Sequence, residues 1–340
     1  MKAGGCMLGE ILENVYGIKT GEYLRLESYE AVRGNGFYYF LANPGAKDEE
    51  EAAELQKIAA HLSAYGDRNV PAVLPTQSGS IIGQWEGRKF CLMACGTIES
   101  RKKVKLGRKL AKFHERGKMV PFKVEKAARI GQWKQLWETR LDQMERVWSE
   151  RIFQPPADEF ERLFVESFPY YAGLAENAIQ YLVDTEIDGE PAEPDSGTVC
   201  HERFTGNAWG RQYIIKNPMD WVFDHRSRDL ADWARYTYFR NRGTYGTEIA
   251  QFFAEYGEVA RLSPFSWRLL YARLLFPLHY LETVESYYNA ARESEQKMLE
   301  EQLTDILKYT GDFEKFATGF LSLAEPSIQT ALPKPEWLFR

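Results

Sequence analysis

Residues 198–231 read TVCHERFTGNAWGRQYIIKNPMDWVFDHRSRDLA, and the order of the parts in this stretch decides the fold. Thr198 to Cys200 is a short β-branched run that reads as a strand and leads into a polar loop opened by His201. A second apolar run, Tyr213 to Ile215, brings the chain to Asp220, which is followed by the aromatic Trp221. A helix is expected to begin near Asp229, where Asp-Leu-Ala starts a periodic apolar pattern.

Upstream, Met7 to Tyr16 reads as a helix with Leu8, Ile11, Leu12 and Val15 on one face. Tyr23–Leu26 and Phe37–Leu41 read as strands, separated by the turn signal Gly34-Asn35-Gly36. Glu49 to Tyr65 is an amphipathic helix whose apolar face is Leu55, Ile58, Ala59 and Leu62. Val70–Leu74, Ser80–Gln84 and Lys89–Met93 are expected as further strands, with a turn near Gly87 joining the last two. Leu106–Arg116 is helical, and His114 within it reads as a packed residue. Arg101 to Lys118 holds nine Lys or Arg and one acid, Glu115, which reads as a solvated face or a docking patch for an acidic partner. Gln132–Trp148 is a helix with a packing stripe of Trp133, Leu136, Trp137, Leu141, Met144 and Trp148.

Phe160–Val183 reads as a helix, and Asp184–Asp195, with six acids, as an exposed excursion too polar to pack. Downstream of Asp220 helices are expected at Asp229–Arg242, Thr247–Tyr256, Pro264–Ala290 and Glu293–Tyr309. Pro277 should kink or split the third. Asp229 reads as an N-cap and His225 as structural. The tail LPKPEWLFR reads as a strap or a partner contact.

The succession of His201, loop, strand, Asp220-Trp221 and Asp229-Leu230-Ala231 resembles the aminoglycoside phosphotransferase and choline kinase superfamily, whose loop reads H-G-D-x-x-x-x-N and whose metal segment reads I-D-[WF]. CHERF (200–204), NPMDWVFDH (217–225) and SRDLADWARY (227–236) resemble, more narrowly, spore-coat-associated kinase-like proteins of the YutH/CotS type from endospore-forming bacteria. The resemblance implies an α+β, bilobal protein-kinase-like fold, with a small antiparallel N-lobe at 1–95, a hinge at Ala94–Gly96 and a helical C-lobe at 96–340. It also implies Mg-ATP as cofactor, Asp220 and Asn207 as candidate magnesium ligands, and Glu51 at the position of the phosphate-lysine's partner. Spore-coat proteins are the implied partners, with synthesis in the mother-cell cytoplasm and a final place in the coat. The helix-initial Asp229 is implied to brace the catalytic loop.

The chain departs from that family pattern where phosphoryl transfer happens. Two residues after His201, where the family keeps its catalytic Asp, stands Arg203. A guanidinium has five donors and no acceptor, so it cannot serve as a base. Glu202 is the substitute at hand, but alternation along an extended loop turns it away from its neighbours' side. The family's Asn position, seven after His201, is Ala208, so Asn207 serves only in a loop one residue shorter. No lysine occurs from Phe37 to Gly45, and Lys47 beyond it reads as a solvated charge, which leaves Glu51 as a surface acid. These losses point to a kinase-like scaffold with a degraded site. The alternatives are a working ATP/Mg-dependent phosphotransferase acting on a hydroxyl of a small molecule or protein, or a nucleotide sensor using Arg203.

Composition agrees with a large intracellular globular protein. The chain has 340 residues, is 44% hydrophobic and carries net charge −6, so bulk electrostatics give no reason to expect nucleic acid. Four cysteines without C-x-x-C spacing argue against disulfides, and a zinc or calcium site has no matching spacing. The first residues, broken by Glu10 and Glu13, do not read as a secretory signal. Leu269–Leu281 contains Arg273 and is too short to span a bilayer, so no membrane insertion is expected.

Overall fold

The computed structural model describes residues 3–19, 21–102, 104–328 and 332–333. Of the tail read as a strap, all but Leu332 and Pro333 lies outside the described residues. Two compact units can be distinguished. One is built from the described parts of 1–130, 196–229 and 254–261; the other from those of 131–195, 230–253 and 262–340. The strand end at 94–96 lies inside the first.

The first unit is organised by an antiparallel sheet: β1 (Glu22–Leu26), β2 (Tyr29–Gly34), β3 (Phe37–Ala42), β4 (Ala72–Leu74), β5 (Gly83–Trp85) and β6 (Arg88–Cys95). The spatial order is β1-β2-β3-β6-β4, with β5 also on β6. Strand β2 is absent from the sequence reading, which takes a single strand up to Leu26 and the next only at Phe37. Its pairing is regular on both sides, Val32 facing Tyr23 on β1 and Tyr39 on β3. The turn between β1 and β2 is only Glu27-Ser28, with Glu27 in the left-handed region at φ 56°.

Helix α1 (Ala3–Tyr16) packs Leu8, Ile11, Leu12 and Tyr16 against Val32, Tyr39, Phe90 and Leu92 on one face of the sheet. Alternate residues such as Ala31, Phe40 and Met93 are buried on the other face, as the two-residue period requires. Helix α2 (Glu49–Ala64) starts where Asp48 accepts the Glu51 amide, and three acids in its first turn suit the helix dipole. Its buried face includes Leu55, Ile58, Ala59 and Leu62, as read from the spacing, and also Ala52.

After the two-residue β7 (Glu99–Ser100), helix α3 (Leu106–Lys118) packs against β8 (Thr198–His201). Gly117 makes that approach possible, since a Cβ there would lie 2.5 Å from the Thr198 hydroxyl and 2.6 Å from the Val199 amide. Strand β9 (Tyr213–Ile214) pairs with β7, and β10 (Trp221–Asp224) pairs antiparallel with β8, setting Trp221 opposite His201.

Helices dominate the second unit. They are α4 (Trp133–Arg151), α5 (Glu159–Asp188), α8 (Pro264–Leu275), α9 (Leu278–Asn289), α10 (Glu293–Lys308) and α11 (Thr310–Ala324). Helices α6 (Ser227–Arg240) and α7 (Tyr245–Gly257) each contribute to both units. The split expected at Pro277 occurs, ending α8 at Leu275 and restarting at Leu278. The tryptophan stripe does pack, with Trp133 stacked on Trp137 and Trp137 on Phe276, whereas Leu136 is exposed.

The structure departs from the sequence expectations at three places. Helix α5 runs on to Asp188, so the acidic excursion shrinks to residues 189–195. Its last acid, Asp195, is buried and accepts the Ser266 hydroxyl at 2.6 Å and that of Ser263, because hydroxyl donors make a buried carboxylate affordable. Helix α11, with Phe313, Phe316, Phe320 and Leu321 buried, lies beyond the last helix read from the sequence. Among the described residues no helix is long and apolar enough to cross a membrane.

Candidate functional site

The short pair β8–β10 delivers His201 and Asp220 to neighbouring loop mouths. The Glu202 amide donates to the Asp220 carbonyl at 2.7 Å, fixing the two loops to each other. His201 is buried and fully committed. Its backbone N–H donates to Asp229 Oδ1 at 2.8 Å and its Nδ1 lies 2.7 Å from Oδ2. Its Nε2 accepts the indole N–H of Trp209 at 2.8 Å. Indole is a donor only, so Nε2 carries no proton and Nδ1 is the donor to Asp229.

Asp229 is therefore the brace that the family resemblance implies. It does not act as the N-cap, for α6 begins at Ser227 and the carboxylate is consumed elsewhere. The same Oδ2 also takes His114 Nε2 at 3.1 Å, and His114 Nδ1 lies 2.8 Å from the Tyr256 hydroxyl. Burial drives the His114 imidazole down to about 4 against the pull of Asp229. It is neutral at pH 7, with Nε2 protonated and Nδ1 accepting from Tyr256, whose hydroxyl burial holds in its protonated form. Burial works against the Asp229 anion too, but the two imidazoles outweigh it and the carboxyl sits well below the usual range.

His114, Cys200 and Asp229 bring donor atoms within 4.8 Å of one another. The thiol is pushed up by burial and directed at the carbonyls of Asp224 and His225. Both imidazole nitrogens of His114 are engaged as well. The cluster is a hydrogen-bonded core in which each polar group has a use, not a prepared metal centre.

Arg203 is exposed, and its guanidinium donates to the Glu202 carbonyl at 2.8 Å. Arg228 holds the loop from the other side, donating to the His201 carbonyl at 2.9 Å and to Asp224 at 2.6 Å.

Glu202 differs from expectation. Its side chain does not turn away: it forms an ion pair with Lys47 and adds its charge to the field at Asp220. Lys47 is accordingly no solvated charge but is 8% exposed. Alternation failed here because the loop after His201 bends instead of extending. Glu51 is likewise not a free surface acid; it is mostly covered and pairs with Arg129 at 3.2 Å.

Asp220 is solvent-accessible, yet desolvation by its surroundings, together with Glu202, raises its carboxyl, while Asn217 and Lys47 oppose this. The amide beside it is that of Asn217, which caps the short turn at Pro218–Asp220 by accepting the Met219 amide at 3.1 Å. Asn217 also reaches the Tyr29 hydroxyl, which burial pushes up to about 12. Asn207, the other candidate magnesium ligand, is exposed and lines a cavity of about 630 Å³ with Arg25, Glu27, Tyr29 and Arg211.

Asn217 and Tyr29 have no place in the sequence reading, which takes Lys47 as a solvated charge. Only Asn217 carried a local signal, the turn-forming Asn-Pro pair. Beneath the loop, buried Lys216 pairs with Asp67 at 2.5 Å and lies over the rings of Phe113 and Trp209. Burial lowers its ammonium to about 8. The basic stretch 101–118 lines a separate cavity of about 460 Å³, with Arg68, Lys105, Arg108 and Lys112 at its wall.

A sheet-first, helix-last chain with a histidine loop set against an Asp-Trp strand defines the aminoglycoside phosphotransferase-like kinase fold. An aminoglycoside phosphotransferase from Alicyclobacillus acidocaldarius superposes with a TM-score of 0.65 at 14% identity, covering 92% of this chain and 94% of that one. A spectinomycin phosphotransferase, in complex with ADP and spectinomycin, gives 0.52 at 15% identity over 88% of this chain and 94% of that one. Residues 9–320 match the family described as "Spore coat putative kinase YutH". The endospore coat-associated protein YutH of Bacillus subtilis (strain 168) is 40% identical over 336 residues, 98% of each chain. The chain belongs to the YutH family of spore-coat kinase-like proteins.

Proposed function

We propose that this protein is a spore-coat-associated pseudokinase, a kinase-like scaffold that assembles with or is incorporated in the endospore coat. One observation carries the loss of catalysis: the ion pair between Lys47 and Glu202. Glu202 is the acid that could stand in for the missing base. Lys47 is the cation that could stand in for the missing strand lysine. Each neutralises the other. The base position itself holds Arg203, which has no lone pair to offer a hydroxyl. Losing a positioned base costs about 10² to 10⁴ in rate, and losing the phosphate lysine adds to that.

Mg-ATP is the cofactor that relatives of this fold suggest, and the residues accommodate the metal better than the nucleotide. The accessible Asp220 carboxylate, crowded by Glu202, is a hard oxygen donor suited to magnesium. Lys47, held by Glu202, is not free for the triphosphate. The lobe boundary at 95/96 and synthesis in the mother cell belong to the same reading. Coat proteins are the partners, and the basic wall around Lys105, Arg108 and Lys112 suits an acidic one.

A second reading, an ATP/Mg-dependent phosphotransferase acting on a hydroxyl, is favoured by one fact: Glu202 shares the field of Asp220. A coupled assay for ADP in Mg-ATP separates the two. The scaffold reading expects no ADP above buffer over hours. Turnover that vanishes in Asp220→Ala would overturn it. A fluorescent fusion should gather around the developing spore, and a diffuse signal counts against coat association.

A further inference from the structure

In protein kinases the turn joining the first two strands covers the nucleotide phosphates with glycines. Here the turn is Glu27-Ser28, and it is tied down. The Glu27 carboxylate accepts the amides of three consecutive residues, Arg211 at 2.8 Å, Gln212 at 2.5 Å and Tyr213 at 2.5 Å. Successive backbone N–H groups converging on one point form a nest, the arrangement that binds phosphate and other anions. Gly210 makes the curl possible: it sits at φ 91°, and a Cβ there would lie 2.3 Å from the Tyr213 carbonyl and 2.9 Å from Glu27. Arg101 stiffens the same loop by donating to the carbonyls of Gly206 and Gly210.

Among the described residues, carboxylates that each gather two backbone amides also occur elsewhere in this unit. Glu49 holds the amides of Ile81 and Ile82, and Glu54 those of Glu125 and Ala127. Neither uses three consecutive amides. Glu27 also stands apart in its surroundings, for it lines the cavity of about 630 Å³ together with Arg25, Arg211 and the Tyr29 that reaches Asn217. An anion entering there would meet two guanidinium-bearing residues and the nest. A phosphoryl group, with three acceptor oxygens, matches the three amides better than a carboxylate with two.

We propose that the amides of Arg211, Gln212 and Tyr213 form a phosphoryl-anion site whose resident occupant is the Glu27 carboxylate, so that a polyphosphate and Glu27 compete for it. The proposal deepens the pseudokinase reading, on which it rests only for the position of the site. The chain supplies its own anion where a nucleotide would bring one, and entry requires the β1–β2 turn to lift.

The test is calorimetric titration of magnesium-free tripolyphosphate into wild type, Glu27→Ala and, as a staple-loss control, Glu49→Ala. A competitor that keeps the site closed lowers apparent affinity by the open fraction, so Glu27→Ala should bind about 10- to 100-fold more tightly, with Glu49→Ala unchanged. Equal or weaker binding by Glu27→Ala overturns the proposal. Should that variant not fold, hydrogen exchange on wild type in millimolar tripolyphosphate decides. Faster exchange at residues 27–30 with protection kept at 211–213 supports competition, and no change in either overturns it. ADP formation in Mg-ATP would sink the pseudokinase reading while leaving the anion site intact, and absent tripolyphosphate binding would do the reverse.

Discussion

His114 offers a sharp test of whether the loop network is a locked core or an acid–base device. Its imidazole has a folded-state pKa of about 4 against an ordinary 6.5, because burial disfavours the cation. A histidine held neutral stabilises the fold above its unfolded pKa, and that contribution is lost as pH falls from 6.5 towards 4. The full difference corresponds to about 3 kcal/mol, of which about 2 kcal/mol disappears between pH 7 and pH 5. His279, also buried and lowered, adds a slope of the same sign, so the measurement must be differential. Urea unfolding of wild type and His114→Gln at pH 7, 6 and 5 should show the pH loss reduced by about 2 kcal/mol in the variant. The carbon-13 resonance of His114, assigned by its disappearance in the variant, should titrate near 4. A titration above 6, or an unchanged slope in His114→Gln, would refute the assignment of a neutral imidazole between Tyr256 and Asp229.

Asp67→Asn strands the buried Lys216 ammonium and should destabilise by about 3–5 kcal/mol, with the double variant Asp67→Asn/Lys216→Met recovering part of the loss; equal stability of the single variant and wild type in urea would contradict the pairing. Lys47→Met should cost only about 1 kcal/mol, since Glu202 is half exposed. It should leave the melting response to Mg-ATP unchanged, and a thermal shift present in wild type but lost in Lys47→Met would instead make Lys47 a phosphate ligand.

Much of the scaffold could be read from local pattern. His201, Asp220 and Asp229 stand in a fixed order with strands between them, and α2 and the break at Pro277 follow from periodicity and proline geometry alone. Strand β2 was missed because Glu30 and Arg33 interrupt an otherwise alternating run, and the Gly34-Asn35-Gly36 signal drew the turn to one side of it only. Lys47 and Glu202 were misjudged together. Their meeting depends on a loop bend and on a partner 155 residues away, and neither has a signature in its own neighbourhood. The same holds for Glu27, whose role exists only once the 210–213 loop is folded beside it.

The unit that carries the loop is assembled from three separate stretches of chain, the last of them 254–261. His114 therefore waits through more than a hundred residues of synthesis for its carboxylate, and longer for the Tyr256 hydroxyl. On the ribosome the sheet can form early, but its histidine neighbourhood cannot close until Tyr256 has emerged. A fragment ending before Tyr256 would leave polar groups made for burial without their mates, a clear target for quality-control proteases.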